Sequence, residues 1–139
     1  MKISTSKLSL LKFFVIPCLL VTVLLTACSK DNDGPDNGGG GYPKDVTIEY
    51  KVTSISGTTA GDIIYFNETG GNTILENVGL PFSKSFKRNV KQYDAATINF
   101  TGRTGGEVKV DILVDGKVVK SQNYSGTSVI TGSLVYLFE

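Results

Sequence analysis

The side chains able to do chemistry are few. The 139 residues include two cysteines, no histidine and no tryptophan. Without imidazole the commonest neutral-pH proton carrier and transition-metal ligand are missing, which excludes Ser-His-Asp, Cys-His and most zinc chemistries. Cys18 lies inside an apolar run, and Cys28 closes that run behind Leu25-Thr26-Ala27. The acids Glu49, Asp62, Glu68, Glu76, Asp94, Glu107, Asp111, Asp115 and Glu139 fall singly, at outward strand positions or in turns, and no spacing selects a pair for general acid/base work. Asp31-Asn32-Asp33-Gly34 starts as a calcium loop does, but the closing Glu and the flanking helices are absent. No metal, no cofactor and no catalysis are therefore expected. One cluster remains: Lys84, Lys87, Arg88 and Lys91, with Phe82, Phe86 and Tyr93 nearby. Cations interleaved with aromatics can grip an anionic polymer, a lipid headgroup or a glycan, because the rings stack and the cations pair. The competing reading is structural, with Phe82 and Phe86 in the core and the lysines along a strand edge that resists pairing with other chains.

These residues are distributed over three segments. Three of the 14 basic residues and none of the 13 acids precede Cys28, so the near-neutral total conceals a basic leader and a product of net charge −2. Lys2, Lys7 and Lys12 precede an apolar run over 13–25, the form of an export signal. Such a run spans roughly 20 Å as a helix, short of the ~30 Å hydrocarbon core. Residues 29–45 then read SKDNDGPDNGGGGYPKD, with no aliphatic side chain, the composition of a flexible linker.

Leu25-Thr26-Ala27-Cys28 resembles the bacterial lipobox. The resemblance implies that residues 1–27 are a signal peptide cut before Cys28, that Cys28 carries diacylglycerol and an acylated amino group such as palmitate, and that the protein is held in the outer membrane. Several acyl chains make such anchoring stable. The alternative is a free thiol behind an uncleaved anchor. Cys18 leaves with the leader, so the product has no disulfide and is held by its core alone. Lys30-Asp31-Asn32-Asp33 is similar to the charged signals that follow the cysteine in surface-displayed lipoproteins of the Bacteroidota, or else is a solvated tether. Asn67-Glu68-Thr69, Asn99-Phe100-Thr101 and Asn123-Tyr124-Ser125 match the N-glycosylation pattern, which has no general meaning in a bacterial lipoprotein.

Residues 46–139 are patterned with period two. Val46, Ile48, Tyr50 and Val52 alternate with Thr47, Glu49, Lys51 and Thr53, a half-buried strand. A hairpin is expected around Thr69-Gly70-Gly71-Asn72, an edge strand after Leu80-Pro81, and a short strand over 95–101. Val108, Val110, Ile112 and Val114 share a face, and Asp115-Gly116 signals a type I′ turn into 117–124. With Val129-Ile130 and 134–138, seven or eight antiparallel strands argue for an all-β, immunoglobulin-like sandwich, with a small closed barrel as the alternative.

Leu80-Pro81-Phe82-Ser83-Lys84-Ser85-Phe86, the hairpin from Val108 through Asp115-Gly116-Lys117 to Val119, and the first strand Ile48-Glu49-Tyr50-Lys51-Val52-Thr53 together resemble the MmpS family. These are small exported β-sandwich proteins that accompany mycobacterial lipid and siderophore transporters. The resemblance implies the sandwich and a transporter-accessory role. Members often carry a cysteine at the position of Val110 and another in the last strands, and use a membrane helix where this chain has Cys28. The expectation is thus an anchored, non-catalytic module of three segments, 1–27, 28–45 and 46–139. Its partners are the membrane, through the lipid, and a protein or glycan, with nucleic acid disfavoured by a domain of zero net charge.

Overall fold

The computed structural model describes residues 41–139, which form eight antiparallel strands and no helix. They are β1 (Lys44–Ser56), β2 (Ala60–Phe66), β3 (Asn72–Gly79), β4 (Phe82–Val90), β5 (Ala95–Gly102), β6 (Gly106–Val114), β7 (Lys117–Gly126) and β8 (Ile130–Leu137). A first sheet runs in the order β4-β1-β6-β7 and a second in the order β3-β2-β5-β8. The chain is therefore a two-sheet sandwich with four edges rather than a closed barrel. In constant immunoglobulin domains the first two strands are neighbours in one sheet. Here β1 and β2 lie in opposite sheets, so the architecture is the expected one and the wiring is its own.

Alternation explains the core. Val46, Ile48, Tyr50 and Val52 of β1 face inward with Val108, Val110 and Ile112 of β6. Ile63 and Tyr65 of β2, Ala96, Ile98 and Phe100 of β5, and Ile130 and Leu134 of β8 oppose them from the second sheet. Each fully buried aliphatic side chain contributes on the order of 2 kcal/mol from lost water contact. Tyr50 is fully buried, and its hydroxyl donates to the Phe66 carbonyl at 3.0 Å and accepts from the Thr97 amide at 3.2 Å, pinning β1 to the second sheet. On the β7 side, the ring of Tyr124 lies over Gly132 and its hydroxyl donates to the Ser133 carbonyl, joining the two sheets there.

The strands end in two differently built sets of turns. At the entry end, where β1 begins, Asp115 (φ 50) and Gly116 (φ 76) make the expected hairpin turn, both in the left-handed region that a type I′ turn requires. The Asp115 amide donates to the Thr47 carbonyl, and the Asp115 carboxylate accepts from the Thr47 amide, each at 2.8 Å. The Asn67 carboxamide oxygen accepts from the amides of Thr69 and Gly71, organising the β2–β3 turn. Tyr42 donates to the Glu139 carbonyl at 3.1 Å, so the chain is tied down two residues before β1 starts, earlier than a linker ending at 45 implies.

At the far end the loops interlock through glycines. A Cβ on Gly57 would collide with the Gly105 carbonyl, one on Gly105 with that of Thr127, and one on Gly106 with that of Ser56. Thr58 is fully buried there, donating its hydroxyl to the Ala60 carbonyl while its own carbonyl accepts from Ser54.

Candidate functional site

β4 positions most of the basic cluster, and its alternation divides it. Phe82, Lys84, Phe86 and Arg88 pair with Val52, Tyr50, Ile48 and Val46, so all four point to the inner side of an edge strand. Phe86 lies 5.9 Å from Tyr50 and 6.3 Å from Tyr65, and Phe82 6.3 Å from Tyr65, ring centre to ring centre, so both belong to an aromatic cluster at the rim of the core. Arg88 is structural: its guanidinium donates to the Ala95 carbonyl at 2.9 Å, lies 3.5 Å from Asp94, and packs under Gly70, leaving a side chain only 10% exposed.

Lys87 faces the other way, opposite Thr47. With Asp45, Thr47, Asn89 and Asp115 it lines an open cleft of about 460 Å³. Lys91 and Tyr93 sit in the β4–β5 turn at the entry end. Tyr93 is 73% exposed at φ 69, and its amide donates to the Phe138 carbonyl. The seven residues of the expected patch are thus spread over an inner rim, an outer face and a turn. Sequence proximity grouped side chains that a strand's period of two sends to opposite faces.

Lys84 and Arg88 on β4, together with Lys120 on β7, which is paired to Ile112, are inward-pointing cations on the two edge strands of the first sheet. Such residues discourage a foreign strand from adding to an edge.

The two outer faces differ in charge. The first sheet carries Asp45, Glu49, Lys51, Lys87, Glu107, Lys109 and Asp111 outward. Lys51 lies 3.2 Å from Glu49, and Ser83 donates to that carboxylate at 2.8 Å, so the Glu49 carboxyl is held below its usual range, chiefly by the Ser83 hydrogen bond. Asp111, expected as an ordinary outward acid, is only 7% exposed in the central strand β6. Lys109 lies 3.3 Å from its Oδ1, close enough for an ion pair, yet that oxygen makes no hydrogen bond of good geometry.

The second sheet points Ile64, Phe66, Ala95, Thr97, Asn99, Ser133, Val135 and Leu137 outward, with no charge among them. Ile74, beside Ile64, is 63% exposed. Charge returns only toward the far end, where Asp62 accepts from the Asn77 amide at 2.9 Å and from Arg103 at 2.8 Å. Those two contacts, the amide first, hold the Asp62 carboxyl below its usual range.

This face was missed as a candidate surface. A signal existed, because Ile63-Ile64-Tyr65-Phe66 and Leu134-Val135-Tyr136-Leu137 are apolar at both phases of the alternation, and one phase must face outward.

No group of three or more Cys, Asp or Glu positioned to hold a metal occurs among the described residues. Cys28, the leader and the acidic stretch after it lie outside the described residues. No family model and no curated protein sequence matches this chain.

Proposed function

We propose that the chain is an envelope lipoprotein, anchored in the outer membrane through an acylated Cys28, whose sandwich binds a protein or glycan partner without catalysis. The observation that carries the binding half is the outer face of the second sheet, where exposed Ile74 stands in one uncharged row with Ile64, Asn99 and Ser133. Exposed aliphatic groups beside hydroxyl and amide side chains supply burial and directional hydrogen bonds together, as the core of an interface does. The anchor half rests on Leu25-Thr26-Ala27-Cys28.

Two measurements test it. A fatty-acid probe labels the wild-type chain and not Cys28→Ala; equal labelling removes the anchor. A photoreactive phenylalanine analogue at position 74 gives a discrete adduct in intact cells while one at position 51 does not; adducts at neither position remove the binding face.

A second reading, an MmpS-like accessory of an envelope transporter, is favoured by one observation. The quoted segments of resemblance lie on β1, β4, β6 and β7, the four strands of the first sheet. That reading places the adduct at position 51, on a multi-pass membrane protein.

A further inference from the structure

The chain enters the sandwich at Gly41, thirteen residues after Cys28, at the end that carries Tyr93 and the last residues of β8. A glycine-rich segment of that length has an end-to-end distance of roughly 20 Å, so an anchor at Cys28 keeps the entry end close to the lipid.

One flank of this end has the chemistry of an interfacial surface. Tyr93 is 73%, Leu137 49% and Val135 44% exposed. They are neighbours, because the Tyr93 amide bonds to the Phe138 carbonyl and Val135 and Leu137 are successive outward residues of β8. A shallow cavity of about 330 Å³ adjoins them, lined by Val135, Tyr136, Leu137, Lys120 and Glu139. Among the described residues, neither Lys91 nor Lys120 is in an ion pair, whereas Asp94, three residues from Lys91, is held by Arg88 and by the Lys91 amide. Of the two local acids Asp94 is therefore neutralised within the fold, whereas Glu139, which lines the cavity with Lys120, is in no ion pair, so the flank carries two unpaired lysines against one unpaired acid. Tyrosine favours the headgroup level of a bilayer, lysine reaches phosphate along an apolar stem, and exposed aliphatic groups gain by entering the acyl boundary.

We propose that the flank formed by Tyr93, Val135 and Leu137, bordered by Lys91 and Lys120, rests on the phospholipid surface in which Cys28 is anchored. This rests on the anchor reading. It fixes the orientation of the domain: the entry end lies down on the membrane, and the far end, with Ile55 near the end of β1 and Val129 in the β7–β8 loop, points away.

The natural absence of tryptophan makes the test clean. Tyr93→Trp and Val129→Trp are each made in the full, processed chain and reconstituted into phosphatidylethanolamine and phosphatidylglycerol vesicles with brominated acyl chains. Tryptophan at 93 shifts to the blue and is quenched at least about twofold by the bromine, while tryptophan at 129 is unaffected, as burial of only one end in the acyl boundary requires. Reversing both charges with Lys91→Glu and Lys120→Glu on the Tyr93→Trp chain removes most of the quenching. If the protein floats with the vesicles and position 93 is not quenched, the proposal is overturned while the anchor stands. A blue shift without bromine quenching means a protein surface, such as a second copy, covers the flank, and also overturns it. If the wild-type chain does not float, the anchor reading fails and this one with it.

Discussion

The two ends of the sandwich are closed by different means. The far end is closed chiefly by backbone against backbone, with Gly57, Gly105 and Gly106 packed so tightly that no Cβ fits and Ser54 and Thr58 adding side-chain bonds within one loop. The entry end is closed by side chains reaching backbone: Asp115 to Thr47, Asn67 to its own turn, Arg88 to Ala95 and Tyr50 to Phe66 and Thr97. A glycine contact allows almost no replacement and specifies no surface chemistry. A side-chain contact can be removed for a modest loss, and the turn it serves leaves neighbours such as Tyr93 free to face outward. The end that carries exposed chemistry is the one whose closure is adjustable.

Glycine substitutions test this contrast most sharply. Gly106→Ala, with φ at 141° and its new methyl inside the Ser56 carbonyl and the Gly57 backbone, is expected to cost about 3 kcal/mol or more, read as a lowered midpoint in urea. A loss below about 1 kcal/mol would mean the loops separate easily and the contrast between the ends fails.

Tyr50→Phe comes next, because it removes the shared partner of the part-buried Phe66 carbonyl and Thr97 amide, an expected loss of about 2 kcal/mol. Burial pushes the Tyr50 phenol up to about 12, so the folded chain keeps a proton that the unfolded chain releases near pH 10. This contribution is complete below pH ~10 and is lost as pH rises from there to 12, amounting to on the order of 2 to 3 kcal/mol. The alkaline limb of the stability curve is correspondingly flatter in Tyr50→Phe. Parallel limbs for the two chains would show that the phenol is not sealed from water.

Asp115→Ala removes one acceptor at an exposed turn, with an expected loss of about 1 kcal/mol and faster amide exchange at Thr47. Gly116→Ala is the direct counterpart of the far-end substitution. Its new methyl meets nothing within 4 Å, so only the positive φ opposes it, at about 1 kcal/mol or less. Equal losses for Gly116→Ala and Gly106→Ala would erase the distinction.

What could be read in the sequence follows the same division. Asp115-Gly116 was legible because a type I′ turn is decided by two adjacent residues, and the inner faces of β1 and β6 because period two is local. The glycine interlock was not, since Gly57, Gly105 and Thr127 meet only after three separate strands have brought their loops together. The basic cluster looked like one patch because Lys84, Lys87, Arg88 and Lys91 are close along the chain. The extension of β4 to Val90 decides which of them turn inward, and that length depends on pairing with β1. The uncharged part of the second sheet's outer face was hidden for the opposite reason: its residues come from four strands far apart in the chain, and β2 and β8 alone look like core.

β1 is an interior strand, bonded over 44–52 to β4 on one side and over 48–56 to β6 on the other, and the chain enters directly at its first residues. Antiparallel hydrogen bonds run across the strand axis. If the anchor holds one end and a partner pulls on the opposite end, the tension runs along β1 and loads both ladders at once in shear, rather than opening them one bond at a time. Under such a load the two ladders share the force, so breaking the domain requires many bonds to fail together.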